Sequence, residues 1–172
     1  MKAVFAIVAF VTAASCGSSS SHQHVQLTKL SFDVPGDWTH TESKGRGIVT
    51  SVWTPSEGND RRESITIVRS ELSPAVANAG VSTLDRLLTS AQASLHDAKI
   101  SSVTQTTTTN GLAGARIETD YVPPELHVRY HRVHVVLVDG SALVNVLYTA
   151  RDPDANLAAF NLVLSTIRHE ES

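Results

Sequence analysis

The sequence predicts an α+β fold: a mainly antiparallel sheet of about seven strands flanked by two helices, an α/β/α sandwich. Three observations carry this. Period-two alternation recurs in short segments bounded by Gly, Pro and Asn. Helical periodicity appears only mid-chain and near the C-terminus. The segments on either side of Asp139-Gly140 are apolar on both faces, as in a sheet covered on both sides. The 172 residues, 41% hydrophobic, suffice for one domain with its own core.

Taken in order, Gln26 to Val34 alternates as a half-buried strand and is turned by Pro35-Gly36-Asp37, with Trp38 following. Ile48 to Trp53 is a second strand, ended by Pro55. A polar loop with Gly58-Asn59-Asp60 leads to a third, Glu63 to Arg69, with Ile65 and Ile67 on one face and Thr66 and Val68 on the other. Ser82 is placed as an N-cap, with Asp85 three residues on. Leu84, Leu87, Leu88, Ala91 and Leu95 then mark an amphipathic helix over 83–96.

Four strands follow. Ser101 to Thr109 is threonine-rich, and Asn110-Gly111 predicts a two-residue hairpin, since both positions tolerate positive φ. Leu112 to Tyr121 returns. Pro123-Pro124 forces a wider loop before Leu126 to Val138, and Asp139-Gly140 turns the chain into Ser141 to Ala150. Asp152-Pro153 opens the last helix, with a buried stripe of Leu157, Phe160, Leu164 and Ile167 and with Arg168 and His169 in its last turn.

Two registers follow from the turns. Centring the last hairpin on Asp139-Gly140 sets Val135 opposite Val144, Val133 opposite Val146, Val136 opposite Leu143 and His134 opposite Asn145. Centring the preceding pair on the prolines sets Asp120 opposite His127, Glu118 opposite Arg129 and Arg116 opposite His131, a solvated charged face.

The N-terminus reads as an address. Lys2 precedes an apolar run from Ala3 to Val11, too short to span a hydrocarbon core of about 30 Å and suited to a signal peptide over residues 1–15. The run ends in Ala13-Ala14-Ser15 and then Cys16, the only cysteine. This resembles the lipobox of bacterial lipoproteins, in which the cysteine takes a diacylglyceryl group and becomes the acylated, palmitate-type N-terminus. Ala13 stands where that family prefers a larger aliphatic. A plain signal peptide cut near Ala14 is the alternative. A lone thiol in an oxidising compartment is a liability, which favours modification of Cys16. Residues 16–25 are a polar tether, and 26–172 form one globular domain. The expected location is a lipid anchor in the cell membrane or outer membrane, facing the extracytoplasmic space.

The order of elements, with Val34-Pro35-Gly36-Asp37-Trp38 near the start and Asn110-Gly111-Leu112-Ala113-Gly114 before the long hairpin, resembles the PsbP-like/DcrB-like superfamily. The resemblance covers about residues 27–169. It implies an α/β/α domain with binding or accessory roles and brings no catalytic residues.

The chemistry of the chain is sparse. A formal charge of −3 argues against a nucleic-acid surface. One cysteine excludes an internal disulfide framework and a cysteine metal cluster. His127 and His131 on one strand face lie about 13 Å apart, too far to chelate one ion, and His134 points the other way; no metal or cofactor is expected. His22 and His24 sit in the tether, read as a solvated linker, with loose binding of a surface ion as the alternative. No G-x-S-x-G elbow or phosphate-binding glycine loop is present, and no catalytic residue is assigned. Trp38 and Trp53 are groove candidates, with a place in the core as the alternative. The reading is a membrane-anchored accessory domain for an envelope protein or small ligand. The alternatives are an envelope hydrolase with a site not visible in sequence and a DcrB-like secretion adaptor.

Overall fold

The computed structural model describes residues 22–45, 47–56, 63–72 and 81–170. Cys16 and the expected signal peptide over residues 1–15 lie outside them. The described residues form two sheets and two helices. The first sheet joins β1 (His22–Leu27), β2 (Leu30–Pro35) and β11 (Arg168–His169), with β2 in the middle. The second has eight strands: β3 (Thr39–Gly45), β4 (Ile48–Thr54), β5 (Ser64–Glu71), β6 (Lys99–Ile100), β7 (Thr104–Thr107), β8 (Ala113–Tyr121), β9 (Tyr130–Asp139) and β10 (Ala142–Ala150). Their order is β3-β4-β5-β10-β9-β8-β6, with β7 also on β8, and every described pair is antiparallel. The helices are α1 (Val81–Ala93) and α2 (Leu157–Thr166).

Both faces of the large sheet are covered, as the doubly apolar strands require. On one face Ile65, Ile67, Val133, Val135, Leu137, Val144, Val146 and Tyr148 meet Leu30, Phe32 and Val34 of β2 and Phe160 and Val163 of α2. On the other, Leu84 and Leu88 of α1 pack on Ala115, Ile117 and Val136. The fold class is therefore the expected α+β arrangement, with eight strands in the main sheet and three more beside it.

Local departures have local causes. The strand expected from Gln26 is a hairpin that already begins at His22, so residues 22–25 are strand rather than tether. Its turn uses Thr28 at φ 55°, a position without the glycine that normally signals one. β3 was not foreseen: all its residues are exposed, so it has no alternation to read. α1 starts at Val81, ahead of the expected N-cap, and Leu87 at 46% exposed leaves the stripe. The threonine-rich strand is shortened to β7, and a separate two-residue strand, β6, precedes it.

The Asn110-Gly111 turn is a three-residue loop. Thr108 N–H donates to the Leu112 carbonyl, Gly111 N–H to the Thr108 carbonyl, and only Gly111 has positive φ, at 84°. The last hairpin turns on Gly140-Ser141, pairing Val135 with Val146, Val133 with Tyr148, Val136 with Asn145 and His134 with Leu147. α2 begins at Leu157 after Asn156 rather than at Pro153, and Arg168 and His169 leave the helix to pair with β2.

Candidate functional site

Strand alternation on β8 turns Arg116, Glu118 and Asp120 to one face, with His131 of β9 directly opposite Asp120. The expected partners were different. The loop carrying Pro123-Pro124 is longer than a register centred on the prolines allows, so Glu118 faces Val133 and Arg116 faces Val135. Arg129 precedes β9 and pairs instead with Asp97 at 2.6 Å, and His127 is exposed in the loop. Both shifts are even, so the charged face survives while its pairings change.

These residues form a cleft of about 330 Å³ lined by Lys99, Ser101, Glu118, Asp120, His131 and Pro153, together with Thr119. His131 Nδ1 donates to Asp120 Oδ1 at 2.9 Å, and its Nε2 lies 3.9 Å from Glu118 Oε2. The ring is 15% exposed, and the carboxylates of Glu118 and Asp120 are 43% and 45% exposed. Arg116 donates twice to Glu118 Oε1, at 2.7 and 3.2 Å, and stands over the Phe160 ring of α2. The Ser101 hydroxyl accepts from Glu118 N–H at 3.0 Å and donates to the Ser102 carbonyl. Beside the cleft, the Tyr148 hydroxyl donates to the Pro153 carbonyl. Burial, then Glu63, Asp152 and Asp154, push its pKa up to about 12. The cleft is thus a polar surface of internally paired charges. It offers donors and acceptors, and its serine is bonded to backbone rather than to the histidine.

The other histidines are distributed, not clustered. His134 is buried under α1, with its Nδ1 accepting from Gln92 and its Nε2 donating to Asn145 Oδ1, both at 3.0 Å. Burial holds its pKa below the ordinary value, opposed by the Asn145 bond and reinforced by Arg132. His169 donates to Asp139 Oδ1 at 2.7 Å, and Arg69 lies 3.8 Å from the other carboxylate oxygen. Asp139, read from sequence as a turn residue, is 4% exposed. His24 donates to Asp33 at 2.7 Å. Among the described residues no group of three or more His, Cys, Asp or Glu converges for a metal ion. Trp38 and Trp53 are 7% and 1% exposed, within the main core, and the His40 ring stacks on Trp53 at 4.1 Å. Neither lines a described cleft. Nothing in the sequence could have found the His131 cleft's pairings, because they depend on the length of the proline loop.

Among solved structures, LpqN of Mycobacterium tuberculosis, described as involved in cell envelope biogenesis, superposes with a TM-score of 0.59 at 13% identity, over 87% of this chain and 91% of that one. Cyanobacterial PsbP from Synechocystis sp. PCC 6803 superposes with a TM-score of 0.58 at 17% identity, over 91% and 98%. The chain has the PsbP-like fold. A Pseudomonas aeruginosa protein of unknown function, PA94, described as a putative regulator, shares it with a TM-score of 0.56 at 15% identity, over 89% and 100%. No protein-family model and no curated protein matches the sequence. Among the described residues no helix is long and apolar enough to cross a membrane.

Proposed function

We propose that this chain is a cell-envelope lipoprotein, anchored through acylated Cys16, whose PsbP-like domain is an accessory binding module rather than an enzyme. The observation that carries the binding reading is the pairing inside the cleft. Glu118 is held by Arg116 and Ser101 is bonded to backbone instead of being presented to His131 as a nucleophile, an arrangement that supports recognition by hydrogen bonds. The envelope reading is supported by the leader ending at Cys16 and by the fold shared with LpqN. Two or three acyl chains hold a protein to a bilayer firmly, where one is marginal.

Metabolic labelling with an alkyne fatty acid, followed by membrane fractionation, tests the anchor. The wild-type chain is expected to be labelled and membrane-bound, and Cys16→Ala to be unlabelled and released. An unlabelled wild-type chain in the soluble fraction would overturn the anchor.

A further inference from the structure

We propose that the strand segment His22-Gln23-His24 is a binding site for a borderline-soft divalent cation, Zn²⁺ or Cu²⁺, on the outer face of the three-stranded sheet.

The face is fixed by burial. β1 and β2 pair His24 with Asp33 and His22 with Pro35, while Leu27, Leu30, Phe32 and Val34 enter the core. Alternation therefore places both imidazoles on the solvent side of one strand. Residues two apart on a strand lie about 6–7 Å apart at Cα, and two imidazoles at that spacing can close on one ion with metal–nitrogen bonds of about 2.0–2.1 Å. His127, His131 and His134 do not share this geometry. The first is in a loop, and the other two stand on opposite faces of β9.

The second observation is the brace on His24. Asp33 Oδ1 accepts from Nδ1 at 2.7 Å, which puts the proton on Nδ1 and leaves Nε2 as the lone-pair nitrogen. A carboxylate behind a ligating imidazole orients the ring and raises its basicity, as in metal sites generally. The His24 side chain is 54% exposed and Asp33 32%, so a hydrated ion can reach the pair and keep waters in its remaining positions. Glu170 adds negative charge on the same side, reaching Ser31 of β2 and pairing with Arg168 at 3.0 Å. Imidazole ligands favour Cu²⁺ over Zn²⁺ and select against Mg²⁺ and Ca²⁺.

Titration calorimetry of the purified full chain with CuCl₂ and with ZnCl₂ tests the site, beside His22→Ala, His24→Ala, Asp33→Asn and the loop control His127→Ala. The expected result is one ion per wild-type chain, with Cu²⁺ the tighter. Either histidine variant should lose at least about tenfold in affinity, and Asp33→Asn about tenfold. His127→Ala should bind like the wild type. Cu²⁺ electron paramagnetic resonance should show coupling to two imidazole nitrogens, reduced to one in each single variant. Thermal unfolding without metal checks that each variant keeps its fold. Absence of saturable binding, or binding unchanged in a His22→Ala, His24→Ala double variant, would overturn the proposal.

Discussion

At single residues the structure turns on close approach and on desolvation. Gly114 lies on β8 where an added Cβ would sit 1.9 Å from the Val136 carbonyl oxygen, so the neighbouring strand tolerates no side chain there. Gly114→Ala is expected to cost about 3 kcal/mol or more, because backbone rather than a mobile side chain must move; urea unfolding against the wild type measures it. His134 gives a pH dependence. Its folded pKa lies below the unfolded value, so its contribution is intact above about pH 6.5 and is lost as pH falls, when the unfolded chain takes a proton that the buried ring refuses. His134→Gln should therefore flatten the decline in stability between pH 7 and pH 5. Urea midpoints at both pH values check this, and equal slopes for the two proteins would refute it. Which faces carry charge was legible at this scale, since alternation sets it. The partner of His131 was not, and neither was the burial of Asp139, because each depends on where a turn is centred.

At the level of elements, the strands and helices with a strong period were legible: β4, β5, β10 and α1 lie within a few residues of their expected positions. What was illegible lacked a period or hid a turn. β3 is exposed on both faces, and β1 and β2 alternate through Thr28 as though they were one strand. β11 is only two residues long and exists because β2 offers it an edge. One cross-connection between elements was equally invisible. The Asn110 side chain in the β7–β8 loop donates to the carbonyls of Ser165 and Ile167, satisfying the C-terminal end of α2 from another part of the chain. Asn110→Ala should destabilise the domain by about 1–2 kcal/mol, the net value of two such bonds. In hydrogen exchange, the last turn of α2 should lose protection while the central strands keep theirs.

For the whole molecule, the main sheet supplies the scaffold, and β2 with α2 seals one face of it. The seal is completed at the C-terminus: Arg168 and His169 pair with β2, Glu170 N–H donates to the Lys29 carbonyl, and His169 meets Asp139. A chain ending at Ile167 should lose several kcal/mol, at about 1 kcal/mol per bond plus the penalty of leaving the buried Asp139 carboxylate with Arg69 alone. A thermal midpoint within a degree of the full chain would contradict this.

The position of β2 also sets an order in time. Its two flanking strands lie far apart in sequence, and Ser31 finds its partner Glu170 139 residues later. A polypeptide emerging N-terminus first can fold the β1–β2 hairpin early but must hold one edge of β2 open until Arg168 and His169 are available. Completion of this small sheet therefore reports that Arg168 and His169 have been made, and a product interrupted before them keeps an unpaired strand edge exposed to the machinery that removes unfinished proteins.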